Sequence, residues 1–318
     1  MARTVIMDCD PGHDDALALF TAFGSPDITV AAVTTVCGNQ TVDLVTRNAL
    51  AVVEVAGMTG VVVARGAEHP LHRPHVPAAG IHGPGGLDGP ELPGTVGELD
   101  PRPAAQVIVD LVMAAAPGEI TLVATGPLTN LALALQRQPL IAQRVSEVVI
   151  MGGAVTQGNI TPSAEFNVHV DPEAAAEVFA AAWPVTMMGL EVTHQALATS
   201  DVRDRIAALG SRVAQFSVEL LDFFGDRYLV EQGFPDPPVH DLCPVVYLID
   251  PTVFQLVTAP VAVETAGELT VGRTVVDLRA PAPVACRHRI GLGMDSAAFW
   301  DVVVGALDAL GNPKELNA

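Results

Sequence analysis

The sequence DCDPGHDD occupies residues 8–15 and follows a short β-branched run at residues 4–7. An Ala/Leu-rich segment of helical character, residues 14–23, overlaps its end. A strand, a Gly-containing turn and a helix in this order form the first unit of an α/β fold. Asp8 and Asp10 are two apart at the end of the predicted strand, so their side chains point to the same face. The acidic run is therefore predicted to lie at the carboxyl edge of a parallel sheet, where such folds bind ligands.

The same alternation of strands and helices continues along the chain. Further strands are predicted at residues 28–36, 61–64, 120–125, 147–151 and 184–190. Helices are predicted at residues 41–55 and 104–115, from Thr129, after Asp171, across most of 201–248, and at 295–310. Residues 261–276 alternate like a hairpin or an edge pair, and residues 66–102 are rich in Gly, Pro and His without periodicity. An irregular run of this length in a compact domain is typically functional or a lid.

Strands that alternate with helices predict a mostly parallel central sheet with helices on both faces, a Rossmann-like α/β architecture. The sequence shows no linker, composition shift or internal repeat, so we expect residues 1–318 to form a single domain. Half of the residues are apolar and only 16% are charged, which excludes an intrinsically disordered chain. No apolar stretch approaches the length of a membrane span, and no signal peptide precedes the first strand, so a cytoplasmic protein is expected.

The net charge is −20, from 36 acidic and 16 basic residues. Nucleic-acid binding requires a basic surface, so the charge excludes a nucleic-acid partner and favours cations or neutral small molecules. The four cysteines, at positions 9, 37, 243 and 286, contain no Cys-x-x-Cys pair. We expect all four to be reduced and mostly buried. A nucleophilic Cys9 is disfavoured because nearby carboxylates raise the pKa of a thiol.

Carboxylates this close together require a compensating cation. Oxygen ligands favour a hard ion, calcium or magnesium, over zinc. If Asp14 and Asp15 only cap a helix, Asp8 and Asp10 remain unexplained. Phosphatases of the haloacid-dehalogenase type also open on a strand that ends in Asp-x-Asp. Here, however, the residues that follow are Pro-Gly, and the net charge is unsuited to a phosphorylated substrate.

Several separated motifs resemble, in the same order, those of the inosine-uridine preferring nucleoside hydrolase family. They are residues 8–16 (DCDPGHDDA), 37–39 (CGN), 81–87 (IHGPGGL), 125–130 (TGPLTN), 151–153 (MGG), 158–159 (GN), 165–167 (EFN), 171–174 (DPEA) and 240–241 (HD). The resemblance covers nearly the whole chain. It implies a calcium-dependent enzyme that hydrolyses the N-glycosidic bond of ribonucleosides to free base and ribose. A homodimer or homotetramer is also implied.

The resemblance implies that calcium is held by Asp10, Asp15, Asp241 and the main-chain carbonyl of Thr125. Asp10 would remove a proton from a calcium-bound water that attacks the anomeric carbon. Carboxylates around the sugar would suit an oxocarbenium-like transition state. Asp8 is expected beside the metal ligands rather than among them.

The resemblance also implies substrate contacts. The ribose would be held by Asp14, Asn39, Asn159, Glu165, Asn167 and the backbone near Met151. Asn159 and Asn167 could alternatively be turn residues. At the base, His240 would protonate or hydrogen-bond the leaving group. His82 would close over the base from a Gly-rich loop, or else be a solvated loop residue. Tyr228 could face the base, or it could be core or surface.

Other features bear on specificity and on alternative functions. His69, His72 and His75 recur every third residue, but the intervening prolines exclude a regular helix, so we expect a solvated loop rather than a metal site. Cys9 replaces the family's usual threonine and should point away from the metal. The two tryptophans, at positions 183 and 300, lie outside the pocket motifs. Because purine-specific members stack the base on tryptophan, the sequence favours an inosine-uridine or pyrimidine preference. A non-catalytic, calcium-dependent nucleoside or sugar binding protein is the alternative, and the intact Asp10 argues against it.

Overall fold

An eight-stranded sheet forms the centre of the protein in the computed structural model, which describes residues 2–94, 97–281 and 285–312. Residues 1 and 313–318, at the ends of the predicted domain, and residues 95–96, in the predicted irregular segment, lie outside the described residues.

The described strands are β1 Arg3–Cys9, β2 Ile28–Thr35, β3 Val62–Arg65, β4 Ile120–Ala124, β5 Val148–Met151, β6 Val185–Met188, β7 Phe254–Thr258, β8 Val261–Val263, β9 Thr274–Val276 and β10 Arg289–Met294. The helices in the first half of the described chain are α1 His13–Gly24, α2 Val42–Val55, α3 Ala79–His82, α4 Ala104–Ala114, α5 Thr129–Arg137 and α6 Ile141–Arg144. Those in the second half are α7 Phe166–Val170, α8 Pro172–Ala180, α9 Leu190–Thr193, α10 Ser200–Ala207, α11 Arg212–Gln232, α12 Leu242–Ile249 and α13 Ser296–Gly311, with a 3₁₀ turn at Pro251–Val253.

The strand order in the main sheet is β3-β2-β1-β4-β5-β6-β10-β7, and only β7 runs antiparallel to its neighbour. The chain moves outward from β1 to β3 and then returns to the other side of β1 with β4. The order of the strands therefore reverses at β1 and β4, which pair through Asp8 and Ala124 at their carboxyl ends. A reversal of this kind leaves a crevice at the carboxyl edge, because the connections leave in opposite directions.

The two faces of the sheet bury separate hydrophobic clusters. Val5 and Met7 of β1 pack with α1, α11, α12 and α13 on one face, whereas Ile6 packs with α4, α5 and α8 on the other. This alternation follows from the two-residue period of a strand. The predicted mostly parallel sheet with helices on both faces is therefore confirmed.

Two strands were not predicted from the sequence. β7 and β10 form an antiparallel pair at one edge of the main sheet, with an irregular register between Gly291 and Gly293. Gly291 and Gly293 interrupt the β-branched pattern in β10, so the sequence signal of this strand is weak. The predicted hairpin at residues 261–276 is confirmed, since β8 and β9 pair antiparallel as a separate two-stranded sheet.

The irregular segment from residue 66 onward lies against the carboxyl edge of the sheet. Its described part contains one short helix, α3. Main-chain hydrogen bonds from Cys37 to Ala67 and from Ala78 to Asn39 attach the segment to the loop after β2. Leu71 N–H donates to the Asp171 carboxylate at 2.8 Å, so the segment is also joined to the start of α8.

The predicted solvated loop of three histidines is only partly right. His69 and His72 are exposed, whereas His75 is half-buried. The Nε2 atom of His75 lies 2.7 Å from the main-chain oxygen of Gly38 and donates a hydrogen bond to it. His75 therefore fixes the loop that follows β2, a role that repeat spacing alone does not reveal.

Candidate active site

A pocket opens at the carboxyl edge of the sheet, beside the ends of β1, β2, β4 and β5. All eight residues predicted to contact the substrate line it: Asp14, Asn39, His82, Met151, Asn159, Glu165, Asn167 and Tyr228. Thr125, His240 and Asp241 line it as well. The sequence did not indicate the remaining lining residues, Ala78, Ile81, Ile160, Phe166 and Gln232. These are mostly apolar, and a single apolar residue outside a periodic pattern carries no signal of its own. Neither tryptophan lines the pocket; both are buried elsewhere in the core.

Three buried carboxylates form a group with metal-binding geometry. Asp14, Asp15 and Asp241 each offer an oxygen, and these oxygens lie within 4.8 Å of one another. Asp14 and Asp15 stand in the first turn of α1, where negative charge is favourable to the helix dipole, and Asp241 is the N-cap residue of α12. Asp15 accepts hydrogen bonds from Thr125 Oγ1 at 2.7 Å and from Gly12 N–H at 3.0 Å.

Asp10 lies immediately beside this group but is not part of it. It is fully buried, and its Oδ2 accepts a hydrogen bond from Asn39 N–H at 2.7 Å. Its Oδ1 has no hydrogen-bond partner among the described residues. The structure thus groups Asp14, predicted to contact the sugar, with Asp15 and Asp241, and places Asp10 next to them with one free carboxylate oxygen.

Asp8 lies below the cluster. Its Oδ1 accepts hydrogen bonds from Thr34 Oγ1 at 2.6 Å and from Asn130 Nδ2 at 2.8 Å, and its Oδ2 has no partner in the described part of the chain. Asn130 also donates to the Thr35 main-chain oxygen and accepts from Ala67 N–H. Asn130 ends the TGPLTN motif, but the motif alone does not indicate its role. The structure shows that it connects β1, β2 and the irregular segment.

Burial dominates the electrostatics of these carboxyl groups. Desolvation raises the pKa of Asp8 and of Asp14 to about 7, and that of Asp10 well above its usual range, with the charge of Asp15 adding to the last two effects. The pKa of Asp241 is also raised well above its usual range by burial and by the neighbouring aspartates. None of the salt bridges in the described ranges involves these groups. An all-oxygen donor set with uncompensated buried charge fits a hard divalent cation.

The Thr125 carbonyl and the loop after β5 are held by amide and carboxylate side chains. Asn167 Nδ2 donates to Thr125 O at 2.7 Å and to Met151 O at 3.2 Å. Glu165 is the N-cap of α7, where it accepts from Asn167 N–H, and it also accepts from Gly153 N–H. Asn159 Oδ1 accepts from Phe166 N–H at 3.0 Å. These residues therefore organise the loop and also line the pocket. The two alternatives that the sequence left open for Asn159 and Asn167 are not exclusive.

His240 and Tyr228 form another part of the pocket wall. The His240 main-chain N–H donates to Asp14 Oδ2 at 3.1 Å. The ring lies 2.8 Å from Thr193 Oγ1 through Nδ1 and 2.9 Å from the Tyr228 hydroxyl through Nε2. Burial lowers the pKa of His240 to about 3, so the ring is neutral at pH 7. Of the alternatives left open for Tyr228, the surface position is wrong, because the residue is buried and also lines the pocket.

The structure also excludes a solvated position for His82 and reveals a second buried histidine. His82 ends α3 and is only 6% exposed. Its ring stacks on that of His13, with centroids 5.4 Å apart. His13 is fully buried between Phe223 and Phe224, a position that was not predicted from the sequence. Its position inside the acidic motif was the available signal.

The cysteines are free, and Cys9, Cys37 and Cys243 are buried while Cys286 is half-buried, as predicted. The Cys9 side chain packs into the hydrophobic cluster that contains Val5 and Met7. Burial, with the nearby aspartates, raises its pKa well above the usual range. A thiol in this state is a poor nucleophile.

Comparison with known proteins decides the family. The model of the family described as inosine-uridine preferring nucleoside hydrolase matches residues 5–301. The chain belongs to this family. As a nucleoside hydrolase it is an enzyme, and the predicted reaction class, hydrolysis of ribonucleosides, is confirmed.

Relatives named for different base preferences resemble nearly the whole chain. An inosine-uridine preferring nucleoside hydrolase of Leishmania major is 48% identical over 315 residues, which cover 99% of this chain and 100% of the relative. The pyrimidine-specific ribonucleoside hydrolase RihA of Enterobacter sp. (strain 638) is 45% identical over 311 residues, 96% of this chain and 98% of the relative. The solved structure of a purine-preferring ribonucleoside hydrolase from Gardnerella vaginalis superposes with a TM-score of 0.92 at 30% identity, covering 98% of this chain and 100% of that one.

Helices long and apolar enough to cross a membrane do not occur in the described ranges.

Proposed function

We propose that this nucleoside hydrolase cleaves the N-glycosidic bond of inosine, uridine or other pyrimidine ribonucleosides with the help of a bound calcium ion. The observation that carries the proposal is the group formed by Asp14, Asp15 and Asp241 at the floor of a pocket whose walls carry amides and aromatic rings. Such a pocket offers oxygen ligands at one end, hydrogen-bonding groups for sugar hydroxyls next to them, and flat surfaces for a base.

The residues that would hold the ion are Asp10, Asp15, Asp241 and the carbonyl of Thr125, with Asp14 within the same group. When bound, a hard divalent cation offsets the buried negative charge and acidifies a water molecule. The free Oδ1 of Asp10 supports this assignment, because a buried carboxylate oxygen without a partner is costly unless it meets a ligand.

Asp10 would act as the general base. Asn39 N–H holds its Oδ2, which leaves Oδ1 to accept a proton from the attacking water. Burial raises the pKa of Asp10 in the metal-free site. The bound cation would offset this effect and keep the carboxylate ionised, so that it can take up a proton. The water oxygen forms a bond with the anomeric carbon, the bond from that carbon to the base nitrogen breaks, and its electron pair leaves with the base. Positive charge that develops on the sugar ring is stabilised by the surrounding carboxylates.

The pocket walls would orient the two halves of the nucleoside. The ribose hydroxyls would be bound by Asp14 of the acidic group and by the nearby Asn39 and Asn167. We assign Asn159, Glu165 and the Met151 backbone to the ribose as well. His240 and Tyr228 are joined by a hydrogen bond and line the pocket, where the base would lie. Because the His240 ring is neutral at pH 7, it is better suited to hydrogen-bond the base than to give up a proton directly.

Base and ribose release from inosine, uridine and cytidine, with and without a chelator, tests the proposal. Activity should disappear with the chelator and return with calcium. Asp10→Asn should abolish turnover while ribose binding, measured by calorimetry, is retained. Asp204→Asn, which alters an exposed carboxylate on α10, is the matched control and should keep full activity.

Two outcomes would contradict the proposal. Binding of nucleosides without release of ribose from any of them would indicate a binding protein. Turnover of p-nitrophenyl phosphate in place of nucleosides would indicate a phosphatase. The homodimer or homotetramer and the cytoplasmic location stay predictions, and light scattering on the purified protein tests the first.

A further inference from the structure

His13 is held in a position that defines which of its ring nitrogens carries a proton. Its ring is stacked between those of Phe223 and Phe224, with centroids 5.1 Å from each and interplanar angles of 3° and 7°. Its Nε2 lies 2.7 Å from the main-chain oxygen of Asp88. A carbonyl oxygen only accepts hydrogen bonds, so Nε2 of His13 carries the proton, and Nδ1 of the neutral ring has a lone pair.

This lone pair faces His82. The Nδ1 atoms of His13 and His82 are 3.2 Å apart. Two lone pairs at this distance would repel, so Nδ1 of His82 must carry a proton and donate it to His13. Nε2 of His82 is then unprotonated. It makes no hydrogen bond within the described ranges, and His82 lines the pocket.

A second contact of His82, with the main chain of His13, would require a less favourable placement of protons on the two rings. The main-chain N–H of His13 lies 3.4 Å from Nδ1 of His82, at the long limit of a hydrogen bond. If Nδ1 of His82 accepted this bond, Nδ1 of His13 would have to carry a proton. His13 would then be either doubly protonated or unprotonated at Nε2, which would point a lone pair at the Asp88 oxygen 2.7 Å away. The first would place a charged ring in a buried aromatic stack, and the second would oppose two lone pairs.

We propose that His13 is a positioning residue that fixes the tautomer of His82, so that Nε2 of His82 accepts a hydrogen bond from a nucleobase N–H group. The donors of suitable chemistry are N3–H of uridine and N1–H of inosine. The inference rests on the proposed function, because it takes the occupant of the pocket to be a nucleoside.

The position of His82 supports the base as its partner rather than the ribose. Its ring is 5.4 Å from that of Phe224, whose edge packs against Tyr228. Tyr228 in turn meets His240. His82 therefore belongs to a continuous set of rings, and flat rings are the surfaces on which a base packs.

The tautomer can be measured without any turnover. Long-range ¹⁵N–¹H correlation spectra of protein labelled at histidine distinguish the two neutral tautomers of each ring. Signals of His82 and His13 are assigned by their loss in His82→Gln and His13→Phe. The expected result is a protonated Nδ1 on His82 and a protonated Nε2 on His13. The opposite tautomer on His82, or a mixture of both, overturns the proposal.

A matched pair of variants tests the consequence for specificity. His13→Asn keeps an acceptor near the position of Nδ1, whereas His13→Gln keeps a donor near that of Nε2 but loses the acceptor. We expect His13→Gln to lower kcat/KM for uridine about tenfold more than that for p-nitrophenyl riboside, whose leaving group has no N–H, the loss of about one hydrogen bond. His13→Asn should restore most of the difference. Thermal unfolding of both variants identifies a folding defect, which would affect the two substrates equally.

The role of His13 would be contradicted if His13→Gln lowered kcat/KM equally for uridine and for p-nitrophenyl riboside. It would also be contradicted if His13→Asn and His13→Gln had the same ratio of kcat/KM between the two substrates. Failure of the proposed function has a different signature. In that case the spectra still show the expected tautomers, but the wild-type protein hydrolyses neither uridine nor the riboside.

Discussion

Gly126→Ala should disable the enzyme by crowding one oxygen atom. Gly126 follows Thr125, and a Cβ built on it would lie 2.6 Å from Oδ1 of Asp10 and 2.9 Å from Cγ1 of Val36. Oδ1 is the carboxylate oxygen without a protein partner, the one proposed to accept the proton from water. Ordinary contacts begin at 3.4 Å, so the carboxylate must move by about 0.8 Å or the loop must shift. Misplacing a catalytic group by about 1 Å costs on the order of 100-fold in rate.

The expected loss in kcat is therefore on the order of 100-fold, or about 3 kcal/mol of transition-state stabilisation. KM should change little, because the side chains of Asp14 and Asn167, which we propose bind the ribose, are not displaced directly. The assay is steady-state release of ribose from inosine and uridine at saturating calcium. Gly305→Ala is the matched control, since a Cβ there meets nothing within 4 Å and its position in α13 favours alanine.

The control variant should keep full activity and gain up to about 1 kcal/mol in free energy of unfolding. A Gly126→Ala protein that folds and turns over at the wild-type rate would refute the assignment of Oδ1 as the proton acceptor. A fall in activity with a parallel loss of folded protein would be a folding effect, and denaturant unfolding of the variant separates the two.

Three further predictions concern stability and reactivity. In chelator, the free energy of unfolding should fall as pH rises from about 4 to about 7. The reason is that folded Asp14 and Glu165, with pKa values of about 7, hold protons that the unfolded state releases at lower pH. Each of the two groups should contribute up to about 1.4 kcal/mol per pH unit. Urea unfolding across this range checks it. Calcium should weaken the trend by keeping Asp14 ionised, and a rise in stability with pH in chelator would contradict the prediction. Asn130→Ala should destabilise the protein by about 2–3 kcal/mol in the same assay, because it removes one of the two hydrogen bonds to Asp8 and the amide partner of two main-chain groups. A change below about 0.5 kcal/mol would show that water replaces the amide. A thiol reagent should modify Cys286 first in the native protein and all four cysteines after denaturation; rapid loss of a buried thiol would indicate local opening.

The sequence predicted the sheet and the pocket residues because both depend on local signals. Apolar runs mark the strands β1 to β6, and polar residues directly after them mark the edge that binds ligands. The acidic run at residues 8–15 predicted a cation site from its composition and spacing alone. In contrast, β7 and β10 form an edge pair with glycines in it, and such strands lack the periodic pattern on which prediction depends.

The parts of the site that the sequence did not predict depend on contacts between distant segments. His75 donates a hydrogen bond to the Gly38 carbonyl, and His13 contacts His82. Neither contact can be predicted from the spacing of the residues in the sequence. Asn130 lies in a recognised motif, yet its contact with Asp8 joins positions 122 apart in the chain. The grouping of Asp14 and Asp15 with Asp241 depends on how α1 and α12 meet, which a motif does not encode.

The contact between His240 N–H and Asp14 spans 226 positions of the chain. During synthesis the N-terminal segments leave the ribosome first, so the aspartates of α1 are exposed to solvent well before Asp241 exists to complete their group. Cation affinity should therefore arise only when the last third of the chain has docked. Calcium binding would then report the completion of folding, and a nascent chain released before residue 240 should bind the ion no better than an unfolded one.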